Sequence, residues 1–248
     1  MIDVIYIPTL DRDNQITYNS LPDKYKKKVI FVKDRIGIHK VRKKIAYDAG
    51  KVNFAVFDDD LFFKRRYVNW RELNCKSKEN FTEKDFDDMF NTIDSWLNDG
   101  IIQCGLRDSN AFPKGVEYIE NGPIFRAMFF NGSLLNNIID DIDWDLVKVG
   151  EDTNLILEFL SRGYKNRISD TFLYFAKEYG DVGGCSNYRD EELNYQEHIK
   201  LMNKWPMFVT QMENSKINNW RRFKVSWSKA YKFSQQGKNF RGSNKKIR

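Results

Sequence analysis

Within its first sixty residues the chain alternates strand and helix signals twice and then runs into three consecutive aspartates, an order that few folds accommodate. Val4-Ile5-Tyr6-Ile7 is a short β-branched and aromatic run that Pro8 is expected to end. Lys28-Val29-Ile30-Phe31-Val32 is a second such run. From Gly37 to Ala49, the residues Ile38, Val41, Ile45 and Ala49 recur at helical spacing, and Gly50 suits the C-terminal cap. Asn53-Phe54-Ala55-Val56-Phe57 is a third apolar run and leads into Asp58-Asp59-Asp60. Two β-α-β crossings in so short a span predict an α/β fold, a mostly parallel, twisted, Rossmann-like sheet with helices on both faces.

The remainder fits that frame. Thr82 to Leu97 is amphipathic, with Thr82 and Asp85 spaced as a capping box in its Asp form. Residues 101–135 are strand-like but broken by Gly105, Pro113, Gly115, Gly122 and Pro123, which predicts an antiparallel portion with its loops. Glu151 to Arg162 reads as a helix with Gly163 beyond it. Thr171 to Phe175 reads as a strand, and Glu191 to Lys204 as a helix that Trp205-Pro206 stops. No internal repeat is visible.

At 248 residues, 41% hydrophobic and 31% charged, the chain reads as soluble and large enough to bury a core without disulfide or metal staples. Cys75, Cys104 and Cys185 are widely spaced and form no CxxC pair, which argues against a disulfide framework or a zinc site and for a reduced, cytoplasmic setting. MIDVIYIPTL lacks a basic leader and reads as a first strand, and no apolar run approaches the ~18 residues of a membrane span, so no membrane partner is expected. The charge is segregated. Residues 214–248 hold eleven of the 41 basic residues and no acidic one, leaving 30 basic against all 35 acidic residues in 1–213. An acidic body (1–213) with a basic, aromatic extension (214–248), partly flexible toward its end, points to a polyanionic partner.

Three carboxylates at the end of a buried strand repel each other and lose hydration, so a cation is expected to compensate them. In open α/β sheets ligands bind at the carboxyl ends of strands, and a divalent ion bridging Asp58–Asp60 to a diphosphate meets both demands. The competing reading is a solvated acidic turn. Arg42 and the loop through Pro8, Thr9 and Arg12 belong at the same end of the sheet, where a cation and a hydroxyl serve diphosphate binding; for Arg42 by itself, a solvated helix face is the simpler reading. A second acidic pair, Glu151-Asp152, follows Gly150 at a helix start. It serves either as an N-terminal charge against the helix dipole or, through Asp152, as a general base toward an acceptor hydroxyl.

This order of blocks resembles the GT-A glycosyltransferases. The segments "DRDNQITYNSLP", with Arg12, Gln15, Thr17 and Leu21-Pro22, "FDDD", "GEDTNLILEFLSRGY" and "GGCSNYRD" are similar to the phage glycosyltransferases associated with TET-type base hydroxylases, over about residues 1–210. The resemblance implies a Mn²⁺- or Mg²⁺-dependent transfer from a nucleotide sugar, a UDP-sugar, to hydroxymethylated bases in double-stranded phage DNA. It makes Asp60 the direct metal ligand, with Asp58 nearer the ribose and Asp59 beside them. Pro8, Thr9 and Arg12 would line the nucleoside pocket, and Arg42 the diphosphate region. Gly183 and Gly184 would lie over the donor. Asp152, beside Glu151, resembles the catalytic base of inverting members. His198 is a candidate further metal ligand, although its helix placement favours a packed role, and His39 reads as a helix-surface residue. In the extension, Trp220, Phe223 and Trp227 recur at i, i+3 and i+7, predicting a helix on the body. Its cations Arg221, Arg222, Lys224, Lys229 and Lys232 would face DNA. The rival readings are a transferase acting on a cell-surface glycan or protein, and a non-catalytic nucleic-acid-binding protein.

Overall fold

The computed structural model describes residues 1–9, 15–33, 37–66, 78–176, 191–212 and 223–237. Strand β1 (Val4–Thr9) is followed by two short helices, α1 (Ile16–Ser20) and α2 (Asp23–Lys26), then β2 (Val29–Lys33), α3 (Ile38–Ala49) and β3 (Phe54–Phe57). Both β2 and β3 pair with β1 in parallel, which is the expected double crossover. Pro8 does not end β1; it pairs in register with Val32. Ile5 N–H bonds toward β2, so by alternation the missing N–H of Pro8 falls on the β3 side, where pairing has already stopped after Tyr6.

After the aspartates come β4 (Leu61–Arg66), β5 (Lys78–Asn80) and α4 (Glu83–Asn98), the last opened by the complete Thr82/Asp85 capping box. Then follow β6 (Gln103–Asp108), β7 (Tyr118–Glu120), β8 (Ala127–Phe130), α5 (Gly132–Asn136), α6 (Glu151–Ser161) and β9 (Asn166–Ala176). The described strands form a nine-stranded sheet ordered β2-β1-β3-β8-β6-β9-β4-β5, with β7 on β9. Six of the nine run in one sense and β8, β4 and β7 run against it; β7 and β8 fall in the glycine- and proline-broken stretch expected to be antiparallel, whereas β4 lies outside it and β6, inside it, runs with the majority. The sheet curls, since Phe57 on β3 and Phe63 on β4 lie 5.3 Å apart between ring centroids although four strand positions separate their strands.

Strand alternation sends side chains to two separate cores. Tyr6, Phe54, Val56, Met128 and Phe130 pack on one face with α3 and α6. Ile5, Ile7, Ala55, Phe57 and Phe129 pack on the other with Phe86, Phe90 and Ile93 of α4. This is a helix–sheet–helix sandwich, a mixed α/β, Rossmann-like fold.

Beyond β9 lie α7 (Glu191–Lys204), β10 (Val209–Gln211), β11 (Phe223–Val225) and α8 (Trp227–Gln235). The single helix expected through Trp220, Phe223 and Trp227 is not there. Phe223 belongs to a strand antiparallel to β10, and a helix begins only at Trp227. Val209 and Val225 face each other across that ladder, so strand pairing wins over a coincidence of spacing. Trp220 lies outside the described residues. The helix α8 nevertheless packs on the body against α6, with Ala230 fully buried and Phe233 5.6 Å from Phe208. No helix among the described residues is long and apolar enough to cross a membrane.

Candidate active site

The aspartate turn is built by one threonine. Thr17, fully buried on α1, donates its hydroxyl to the Asp58 carbonyl at 2.5 Å and accepts the Leu61 N–H at 2.8 Å. Its own N–H bonds the Asp59 carbonyl at 3.0 Å. A buried hydroxyl that joins the last residue before the turn to the first residue after it holds the backbone of Asp58–Asp60 in one shape. Thr17→Val keeps the volume but leaves a buried carbonyl and N–H without that partner. We expect a loss of about 2–6 kcal/mol in urea unfolding, at one to three kcal/mol for each of the two orphaned groups. A loss below 0.5 kcal/mol would mean the turn holds itself.

From that turn the three carboxylates part company. Asp59 accepts from the Thr9 hydroxyl at 3.2 Å. Asp60 Oδ2 lies 3.7 Å from Arg126 Nη1. Asp58 Oδ1 lies 3.9 Å from Arg42 Nη2. Of the two readings of Arg42, the solvated helix face is excluded: its side chain is 8% exposed and pairs directly with Glu151, with Asp152 Oδ2 at 3.9 Å. One buried guanidinium therefore ties the end of β3 to the start of α6, and with it the two acidic motifs that the sequence holds far apart. His39 is likewise buried rather than on the surface, and burial lowers its pKa. It lines, with Arg42, Trp144, Glu151 and Asn154, a small cleft beside the acidic cluster.

Burial pushes the Asp58 carboxyl up to about 6; Arg42 and Arg126 oppose the rise, and Asp60 and Asp59 add to it. Asp60 Oδ1 is buried and has no hydrogen-bond partner among the described residues. Among the described residues no three His, Cys, Asp or Glu side chains converge as a metal-binding group. Mg²⁺ and Mn²⁺ sites that act on phosphates commonly take one or two carboxylates and complete their shell with water and substrate oxygens. Asp60, with its orphaned oxygen, and Asp58 fit that role.

Arg126 carried no signal in the sequence. It adopts φ +59°, a left-handed conformation that costs a non-glycine residue about 1–2 kcal/mol, and its carbonyl accepts the Asp58 N–H at 2.9 Å. Gly105 lets that loop approach β6, since a Cβ there would stand 2.3 Å from Ile124 Cγ2 and 3.2 Å from the Ala127 carbonyl. Gly150 before α6 is also left-handed, at φ +81°, and turns the chain so that Glu151 and Asp152 open the helix facing Arg42. Asp152 Oδ1 accepts the Thr153 N–H at 2.6 Å.

Of the other residues singled out by sequence, Pro8 and Thr9 lie at the end of β1 beside Asp59. His198 stacks on Phe223 with centroids 4.8 Å apart, and its Nδ1 lies 2.6 Å from its own helix carbonyl at Asn194, the arrangement of a packed histidine. Lys224, Lys229 and Lys232 are exposed on β11 and α8. Arg12, Gly183, Gly184, Arg221 and Arg222 lie outside the described residues.

A Rossmann-like sheet with a clustered acidic turn at the carboxyl end of β3, cross-linked by a buried arginine to an acidic helix start, defines an α/β protein with a strand-end anionic site. The sequence matches no family profile and no curated protein. Among solved structures it is similar to A197 from STIV, at 10% identity over 72% of this chain and 86% of that one, with a TM-score of 0.42, a likeness too distant to bear on function.

Proposed function

We propose that the chain is a metal-dependent glycosyltransferase that moves a sugar from a nucleotide sugar, a UDP-sugar, to a hydroxyl on a 5-hydroxymethylpyrimidine in double-stranded DNA. The observation that carries this reading is the Arg42 bridge, because it sets Asp58–Asp60 and Glu151-Asp152 around one point at the carboxyl edge of the sheet. Asp60 and Asp58 would hold a divalent ion, whose chemistry would be to offset charge on the departing diphosphate. In this reading Thr9 and Asp59, hydrogen-bonded at the end of β1, would line the nucleoside pocket, and Asp152, whose Oδ2 is 3.9 Å from Arg42, would take the proton from the acceptor hydroxyl. The DNA acceptor rests on the resemblance and on the segregated cations, of which Lys224, Lys229 and Lys232 stand exposed.

The test is to incubate the protein with Mn²⁺ and a panel of nucleotide sugars, with and without hydroxymethylcytosine duplex, following free nucleoside diphosphate and DNA mass. A mass increase of one sugar, dependent on both substrates, is the expected result; diphosphate release without DNA modification would move the acceptor to a glycan or protein.

The raised Asp58 pKa adds a pH dependence. A carboxyl that protonates near 6 in the fold must lose that proton to bind a cation. Mn²⁺ affinity in the presence of UDP is therefore expected to be flat above about pH 7 and to fall by up to tenfold per unit as pH drops below 6. The sign for folding is opposite: with the folded pKa above the unfolded value, this group adds stability as pH falls through 6. Calorimetric titrations from pH 5 to 8 showing constant affinity would remove Asp58 from the metal's ligands.

A further inference from the structure

The loop between β6 and β7 is held from beneath by buried charge. Asp170, in β9 and inaccessible to solvent, receives Arg66 Nη1 at 2.5 Å and Arg107 Nη1 at 2.6 Å on one carboxylate oxygen. Its other oxygen accepts the Lys114 N–H at 2.7 Å, its own N–H bonds the Glu117 carbonyl at 2.8 Å, and Arg66 Nη2 bonds the Ala111 carbonyl at 2.9 Å. Asp108 pins the other side, with its carboxylate on the Asn110 N–H and its carbonyl on the Ala111 N–H. The loop leaves β6 at a break in register, where Leu106 pairs with Ser169 but Arg107 with Leu173, so that β9 bulges around Asp170.

What this clamped backbone presents is Phe112, 88% exposed and followed by Pro113. An aromatic left almost wholly in water gains nothing for the fold, while the buried charges that order its loop are costly to assemble. Its place is specific. Phe57 pairs with Ala127, and Gly105 with Met128, so β3 and β6 end at the same edge with only β8 between them. Two strand spacings, about 10 Å, separate Asp58 from Arg107 at that edge.

We propose that residues 109–117 form a rigid finger whose Phe112 stacks against a nucleobase of the acceptor duplex, at or next to the base that leaves the helix. This rests on the DNA-acceptor reading above. Enzymes that act on a base inside a duplex must unstack it, and an aromatic platform that is already ordered and already exposed supplies stacking without a folding cost at binding.

The experiment measures equilibrium binding of the full chain to a fluorescein-labelled hydroxymethylcytosine duplex by anisotropy, for the wild type, Phe112→Ala, Phe112→Leu and Phe112→Tyr. Stacking of one base predicts a loss of roughly tenfold or more in Phe112→Ala, a similar loss in Phe112→Leu and recovery in Phe112→Tyr, with the slope of affinity against salt unchanged. Thermal melts should coincide, since the side chain is 88% exposed. Unchanged affinity in Phe112→Ala overturns the proposal. Full affinity in Phe112→Leu reduces the contact to a generic apolar one and also overturns it. A wild type that binds no DNA overturns it as well; donor hydrolysis with Mn²⁺ in the absence of DNA then shows separately whether sugar transfer stands.

Discussion

Asp60→Asn is expected to lower sugar transfer by roughly 10²–10³-fold while leaving the fold intact, the scale on which single electrostatic contacts to developing charge are measured. Among the described residues, one buried Asp60 oxygen has no hydrogen-bond partner, and the cation beside the other is Arg126 at 3.7 Å. A carboxylate held that way is short of a cation. An amide offers a neutral and poorer ligand to a hard ion, and its N–H₂ end would meet the Arg126 guanidinium. Stability should hold, because removing one of three clustered negative charges relieves repulsion. A second readout is independent of turnover: Asp60 helps raise the Asp58 pKa, so the Asp58 titration should move below about 6 in the variant. Asp59→Asn is the control, as Asp59 bonds the Thr9 hydroxyl, and a smaller loss is expected. Wild-type rates in Asp60→Asn, or transfer undiminished by a chelator, would end the metal-dependent reading.

The sequence made the first half of this site legible and hid what joins it to the second. The β1-α-β2-α3-β3 order and the capped α4 rest on local periodicity and local hydrogen bonds, which neighbouring residues alone can specify. Helices α1 and α2 span only five and four residues, too short for a period to show. Strand β4 follows the aspartates after a turn that carries no glycine, proline or asparagine. What could not be read is what depends on distant contacts. Arg42 could be assigned to this end of the sheet from the order of the elements, but its pairing with Glu151 appears only once α6 is in place. A left-handed Arg126 has no signature, because its conformation is imposed by the loop packed on Gly105. Thr17 was visible as a residue of the resembling segment, but its grip on the aspartate turn needs the fold. The extension shows the opposite error: a helical period through Trp220, Phe223 and Trp227 was present in the letters and absent from the chain, since β10 offered Phe223–Val225 a strand partner. Local pattern decides elements; the partner across the core decides which of two local options is taken.

The two acids at the start of α6 are expected to separate cleanly by mutation, with the larger catalytic loss at Asp152. Glu151 makes the direct ion pair with Arg42 and is the more enclosed of the two, at 12% exposed. Asp152 keeps one oxygen on its neighbour's N–H and the other 3.9 Å from Arg42. A general base needs an oxygen that can reach the acceptor proton, and Asp152, at 20% exposed, is the more accessible of the two. Asp152→Asn should therefore lower kcat by about 10²–10⁴-fold, the usual contribution of a positioned base, with nucleotide-sugar affinity close to that of the wild type. Glu151→Gln should behave differently. It removes the strongest partner of a buried guanidinium, so donor binding and thermal stability are expected to suffer together, and the stability loss should reach about 3 kcal/mol or more if Arg42 stays charged and enclosed. Activity of Asp152→Asn should fall off more steeply with acceptors whose hydroxyl is less acidic, because those depend most on the base. The measurements are steady-state kinetics varying each substrate separately, equilibrium titration with the nucleotide sugar, and urea unfolding of both variants. If the roles are reversed, Glu151→Gln will keep donor affinity and lose turnover. A parallel collapse of donor affinity and rate in Asp152→Asn would make Asp152 a donor ligand, and the base would have to be sought elsewhere on the same strand edge.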